Sequence, residues 1–288
     1  MDMGEEERDV RGVRVRTGRL QLWRELGLDW DRHTIVCLVG AGGKTTAMFR
    51  LASEAAASGK RVIVTTTTRI RKPEENEAPP AVCVLPEGAV ARQALRPLPG
   101  GIVIVGADAE PGKLKGLSLA ETAKLKDFCD VLLVEADGAK RLPLKVPEAW
   151  EPVILPETLA VVAVAGLSSL GRPLGETCFR ARRAGLCFGV GEREKVTPEI
   201  MAGFLASEDG QRKMVGCREY RVLLNQADGC ETAKAGLLTA RLLAGEGVTF
   251  CRRDGEQMQG LKKGIRAAVV SLKGNTAYTE VTEDEGVD

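Results

Sequence analysis

Short runs of branched apolar residues alternate along the chain with stretches whose apolar positions recur every three or four residues. Thr34–Val39, Arg61–Thr65, Ala81–Leu85, Ile102–Val105, Val131–Glu135 and Leu159–Ala165 are mostly apolar runs, the pattern of strands buried on both faces of a parallel sheet. Lys44–Ser58 places Ala, Met, Phe and Leu at helical spacing and stops before Gly59, a residue suited to the left-handed turn that ends a helix. Ser118–Asp127 has helical spacing as well. From Gly166 to Gly216 there are several helical turns and little strand character. The β/α rhythm then resumes with a strand at Arg221–Leu224, a helix over Glu231–Ala244, and strands at Val248–Cys251 and Ala267–Leu272.

Strands alternating with helices predict an α/β fold with a doubly wound, mainly parallel sheet and a mostly helical insertion. Residues 1–30 read as an N-terminal extension, with a helix near Leu20–Leu26 packing on the core. Residues 31–165 and 217–288 read as the two parts of the α/β core, and residues 166–216 as a helical insertion or lid. Lys72–Pro80 is a Pro-rich, acidic connection, and Glu283–Asp288 are expected to fray.

A chain of 288 residues can form one large α/β domain, or a domain of ordinary size carrying an insertion. Aromatic residues make up only 4%, so the core must be built from Val, Leu, Ile and Ala. With 41 basic against 40 acidic residues, there is no bulk attraction to nucleic acid or to an anionic membrane. The acidic start lacks the apolar stretch of a signal peptide, and no run approaches a membrane span. None of the eight cysteines forms a CxxC pair, which favours reduced, buried thiols over a disulfide or metal framework. The single histidine, His33, gives zinc no ligand spacing. These features predict a cytoplasmic protein.

The candidate chemistry begins at Val39-Gly40-Ala41-Gly42-Gly43-Lys44-Thr45-Thr46. A strand, a Gly-rich turn and Lys-Thr opening a helix form a phosphate-binding P-loop. Gly40, Gly42 and Gly43 let peptide N–H groups approach phosphate oxygens, and the helix adds its positive N-terminal end. Lys44 can reach the β- and γ-phosphates, and the Thr45 hydroxyl is placed for Mg²⁺. The spacing departs from both common forms of the loop. The standard motif would put glycine at position 38, where Leu38 stands, and the variant of the cell-division ATPases would put lysine at position 39, where Val39 stands. A dinucleotide fingerprint fits worse, because position 45 is Thr. The sheet is therefore expected to be of P-loop NTPase type, binding GTP or ATP with Mg²⁺.

Two distal motifs should meet this loop. Asp130-Val-Leu-Leu-Val-Glu135-Ala-Asp137-Gly138 puts two carboxylates at the carboxyl end of a strand, where ligands sit in open α/β sheets. Glu135 or Asp137 can hold the metal with Thr45 or orient an attacking water, and the Gly138 amide can sense the γ-phosphate. Asn225-Gln-Ala-Asp228 resembles the guanine-reading motif of GTPases, with Gln226 in place of the usual lysine. Thr65–Arg69 could supply a further hydroxyl. Lys140, Arg141 and Lys145 could hold an anionic substrate, with solvated surface charge an equal reading. Arg180, Arg182 and Arg183 read as a solvated face, and Cys178 and Cys187 have no supporting spacing.

Val39–Thr46, Val64–Arg69, Val134–Lys145 with Glu151-Pro152-Val153, and Leu224–Asp228 together resemble the YqeC family, accessory proteins for selenium-dependent molybdenum hydroxylases. The run Val134–Pro147 is the most specific part. The resemblance implies a role in making or inserting a labile selenium cofactor, and carries the phosphate loop onto Gly40–Thr46 and the acidic motif onto Glu135 and Asp137. Histidines of the family near Trp150 and Phe179 have no counterpart here. The expected activity is hydrolysis of GTP or ATP, with GTP slightly favoured, to drive that maturation. A small-molecule kinase and a non-enzymatic nucleotide-dependent chaperone are the alternatives. The resemblance implies a molybdenum hydroxylase client or its cofactor as partner; a homodimer is open, and no nucleic-acid or membrane partner is expected.

Overall fold

The computed structural model describes residues 6–10, 13–17, 20–71, 81–85, 98–109, 113–245 and 264–280. The expected strand at Val248–Cys251, the Lys72–Pro80 connection and the Glu283–Asp288 tail lie outside them. Eight strands form the parallel part of one large mixed sheet. In chain order they are β1 (Ile35–Gly40), β2 (Val62–Thr66), β3 (Ala81–Leu85), β4 (Ile102–Asp108), β5 (Val131–Glu135), β6 (Ala160–Gly166), β7 (Glu219–Asn225) and β8 (Arg266–Ser271). Their spatial order is β3-β4-β2-β5-β1-β6-β7-β8, every neighbouring pair parallel. Antiparallel strands extend the sheet beyond β8 with Thr276–Glu280, Val13–Thr17 and Glu6–Val10. Lys113–Lys115 and Arg69–Arg71 add antiparallel pairs beside the end of β4.

The strand patterns read from the sequence recur within one to three residues at each end, because runs buried on both faces leave little ambiguity. Side chains alternate between faces along each strand. Val36, Leu38, Val62, Val64, Leu133, Val162 and Val164 pack on one face with α1 (Leu22–Leu26) and α2 (Lys44–Ala57). Cys37, Val39, Ile63, Leu132, Val134, Ala163 and Leu224 pack on the other. There they meet α4 (Leu174–Thr177), α5 (Ala181–Phe188), α6 (Pro198–Ala206) and α7 (Cys230–Ala244), while α3 (Leu119–Lys124) leads into β5. The region read as a helical insertion carries the three short helices α4, α5 and α6 on less than half of its length, the rest being turns and loops with one short strand, Cys178–Phe179, pairing parallel to Leu144–Lys145. Its Leu174, Phe188, Met201 and Phe204 are buried in the same cluster as the sheet. Among the described residues no helix is long and apolar enough to cross a membrane.

The winding places the site. From β1 the chain builds outward through β2 to β4, returns to β5 beside β1, then crosses to β6 on β1's other side. In open α/β sheets the crevice at such a reversal, at the carboxyl ends of the strands, is where ligands bind. The glycine turn after β1 and the carboxylates after β5 both lie there.

Glu6–Val10 and Val13–Thr17 are strands that the hydrophobic pattern left unread, because charged residues such as Arg14 and Arg16 interrupt the apolar ones. The helix expected at Leu20–Leu26 begins at Leu22 and ends at Gly27, whose φ of +62° suits a residue without a Cβ. Helix α2 supplies its cap: the Glu54 carboxylate accepts from the Leu22 and Trp23 amides at 2.8 and 3.2 Å. Trp23 is 2% exposed, and its Nε1 donates to the Leu51 carbonyl at 2.9 Å. Truncating this ring leaves a cavity and removes one of the hydrogen bonds to the Leu51 carbonyl. Trp23→Ala is expected to lower the unfolding free energy by about 3–5 kcal/mol in urea denaturation; a loss under about 1 kcal/mol would show that α1 is not part of the core.

Candidate functional site

The turn after β1 is held from below. The Ala41 amide donates to the Val164 carbonyl at 2.8 Å and the Gly42 amide to the Leu142 carbonyl at 3.1 Å. Gly42 has φ +73°, and a Cβ there would lie 2.1 Å from the Gly166 nitrogen, so this position admits only glycine. Asn225 Nδ2 donates to the Gly42 carbonyl at 2.8 Å. Helix α2 then starts at Lys44 without a side-chain cap, which leaves its first-turn amides to a ligand or to solvent.

Lys44 and Thr45 turn towards the acidic motif. The Thr45 hydroxyl donates to Glu135 Oε2 at 2.8 Å. Lys44 Nζ lies 2.8 Å from Asp137 Oδ1 and donates to the Gly40 carbonyl. Lys145 Nζ lies 2.8 Å from the other carboxylate oxygen, Oδ2. The Gly40 amide also donates to Asp137, at 3.1 and 3.2 Å to the two oxygens. Asp137 and Lys145 are 0% exposed and Lys44 4%. A carboxylate this deep needs a partner charge, because an unpaired buried charge is strongly destabilising, and here two cations and an amide share it.

The charges continue outward. Lys145 reaches Glu151 at 3.0 Å and the Gly138 carbonyl at 2.6 Å. Arg180 pairs with Glu151 and with Glu148, and Arg183 with Glu148 at 3.4 Å. Phe179 lies under the Arg180 guanidinium at 4.5 Å, with the Lys140 and Lys145 ammonium groups 5.3 and 5.8 Å from its ring. Gln211 is buried and donates to the Lys145 carbonyl at 2.6 Å. Burial pushes the Glu135 carboxyl above its ordinary pKa; Lys44 and the Thr45 hydrogen bond oppose this, and Asp137 adds to it. Burial also acts on Glu151, but Arg180 and Lys145 outweigh it and hold that carboxyl below its ordinary value.

The structure thus brings together Gly40–Thr46, Glu135, Asp137, Gly138 and Asn225. Thr46 is exposed at the first turn. Asn225 spends both amide atoms on protein, since its Oδ1 accepts from the Leu272 amide at 3.1 Å. Asp228 is exposed and accepts from the Ser271 hydroxyl at 2.5 Å. In the Thr65–Thr68 run every hydroxyl is committed within the protein: Thr65 to Val105, Thr66 to the Glu135 carbonyl, Thr67 to Val153, and Thr68 to Thr66. Of Lys140, Arg141 and Lys145, only the first two are exposed. The solvated reading of the arginine cluster holds for Arg182, 94% exposed, and fails for Arg180 and Arg183, which the Glu148–Glu151 carboxylates draw in.

Sequence reading gave Glu151 only as part of the family resemblance, took Arg180 for a solvated residue, and missed Gln211. The only signal for them is that Glu148 and Glu151 follow Lys145 closely within a short apolar segment. Lys140, Arg141, Arg180 and Gln226 all adopt left-handed backbone conformations. Each sits in a segment touching the loop or its ion pairs, and such residues are held there against a cost of about 1–3 kcal/mol each.

Among the described residues, no three His, Cys, Asp or Glu side chains converge as a ready-made metal cluster. Cys37, Cys129 and Cys178 are buried thiols outside any disulfide. An open hollow lined by Trp23, Trp30, Asp31 and Ser58 lies at the far end of α2, about 20 Å from the loop at 1.5 Å per residue. It shares no residue with the glycine turn or the acidic motif.

Because burial raises the folded-state pKa of Glu135, its ionised form opposes folding; that penalty is absent below the unfolded carboxylate value and fully present above the folded one. Glu135→Gln is therefore expected to raise the melting temperature of the ligand-free protein at pH 7, with the gain vanishing towards pH 4. Equal shifts at both pH values would contradict this assignment.

Comparison with known proteins adds a family. A family model described as YqeC protein matches residues 36–182. The Escherichia coli (strain K12) "Uncharacterized protein YqeC" is 32% identical over 209 residues, covering 71% of this chain and 80% of that protein. No solved structure matches. The family match spans β1, the glycine turn, the acidic motif and the ion pairs around Lys145, and together with the relative it shows that this chain belongs to the YqeC family.

Proposed function

We propose that the chain binds a nucleoside triphosphate with Mg²⁺ at the Gly40–Thr46 turn and hydrolyses it, as a P-loop NTPase. The observation that carries this reading is the uncapped first turn of α2, where Lys44 and Thr45 face two carboxylates from the adjacent strand end. The α2 amides and dipole favour an anion there, and Lys44 supplies a mobile cation for the β- and γ-phosphates.

The oxygen set also suits magnesium. Thr45 Oγ1 and Glu135 Oε2, 2.8 Å apart, are hard donors on one side of the first turn. Phosphate oxygens would complete a shell in which the ion neutralises charge on the transferring group. Of the two carboxylates, Glu135 is the better metal candidate, since Asp137 is engaged by Lys44, Lys145 and the Gly40 amide. Glu135 with a raised pKa is a carboxyl that gains from an arriving cation. Lys44 and the amides would stabilise charge developing on the phosphoryl oxygens.

The kinase reading is weaker, because Lys145 is committed inside the protein. Guanine selection would rest on Asp228, since Asn225 is spent on the Gly42 carbonyl and the Leu272 amide. The role that we attach to the cycle is maturation of a selenium-dependent molybdenum hydroxylase, following the resemblance centred on Val134–Pro147.

Isothermal titration with GTP, ATP and their diphosphates, with and without Mg²⁺, tests the reading. Lys44→Ala is expected to weaken triphosphate binding about 10- to 100-fold, the weight of charge-assisted hydrogen bonds, and unchanged affinity would refute the site. Asp228→Ala is expected to weaken GTP about tenfold and leave ATP unchanged; equal effects on both nucleotides would remove the guanine assignment.

A further inference from the structure

Asp137 carries two lysines, one on each carboxylate oxygen, and the two are held differently. Lys44 also donates to the Gly40 carbonyl and opens α2, beside Thr45 and the uncapped first turn. Lys145 is enclosed, and is anchored in addition by Glu151, the Gly138 carbonyl and the Phe179 ring. Resting on the phosphate-loop reading, we infer that Lys145 is a positioning residue whose charge lets Lys44 leave Asp137 for the phosphate.

With one lysine alone, Asp137 would be a buried carboxylate whose only cation could depart only by leaving it unpaired. Lys44 would then be locked to Asp137 and a triphosphate would have to break that lock. With Lys145 fixed on Oδ2 and the Gly40 amide on both oxygens, Asp137 stays paired when Lys44 moves. Asp137 thus holds Lys44 back, and Lys145 weakens that hold. Glu151 and Arg180 act one step further out by fixing Lys145 in place.

This role differs from a through-space effect of Lys145 on the bound anion, because it exists only while Asp137 carries its charge. The test is a double-mutant cycle read by isothermal titration with Mg-GTP and Mg-ATP, using full-length protein whose folding is checked by melting. In the natural protein, Lys145→Met is expected to weaken binding tenfold or more. Asp137→Asn alone is expected to tighten it, since Lys44 has lost its competitor. In the D137N background, Lys145→Met is expected to change affinity less than twofold. Equal weakening by Lys145→Met in both backgrounds, or none in either, would overturn the inference while leaving the phosphate site standing. Should Lys145→Met fail to fold, Asp137→Asn decides: tighter binding supports the hold of Asp137 on Lys44, and unchanged or weaker binding overturns it. Absence of any triphosphate binding by the natural protein would overturn the site reading itself, and this inference with it.

Discussion

A single carboxylate, Asp137, joins the two halves of this site. It is fully buried at the carboxyl edge of the sheet and binds Lys44, Lys145 and the Gly40 amide together. Those three contacts tie the glycine turn after β1 to the segment after β5, and the latter to the connection that leads into β6. A buried charge is not left unpaired, so the constraint holds the two loops together. The left-handed backbone of Lys140 and Arg141 is part of that constraint, since it turns the chain back so that Lys145 reaches Asp137 again.

From this anchor the charges run in a line of alternating sign, from Lys44 through Asp137, Lys145 and Glu151 to Arg180 and Glu148. The line leads from the sheet edge to the surface beside Trp150, which is 71% exposed. The helical segment after β6 therefore does more than cover one face of the sheet, because it contributes Phe179, Arg180 and Gln211 to the surroundings of Lys145. The hydroxyls of Thr65–Thr68, by contrast, are spent on carbonyls of Val105, Glu135 and Val153 and on one another, while Lys140 and Arg141 are exposed.

Much of this was legible in the chain itself. The apolar run Val131–Glu135 matches its strand residue for residue, because a strand buried on both faces has only one way to satisfy its side chains, and Ala81–Leu85 matches its strand as well. The alternating Val13-Arg-Val15-Arg stretch carries a weaker signal, and its strand depends on pairing with Thr276–Glu280, far away in the chain. The glycine turn and the two carboxylates were readable from local spacing. The partner of Lys145 was not: Glu151 and Arg180 look like ordinary surface charges until the fold encloses them. Asn225 shows the same limit, since a residue placed to read a base by motif is held by the Gly42 carbonyl in space.

The most direct test of the account is a crystal structure of the protein with Mg²⁺ and a non-hydrolysable triphosphate. The account predicts phosphate oxygens at the first turn of α2, with Lys44 Nζ moved from Asp137 onto them and Lys145 still within hydrogen-bonding distance of Asp137. Phosphates bound elsewhere, for instance in the hollow by Trp23 and Trp30, or a Lys44 still seated on Asp137 beside a bound triphosphate, would contradict it.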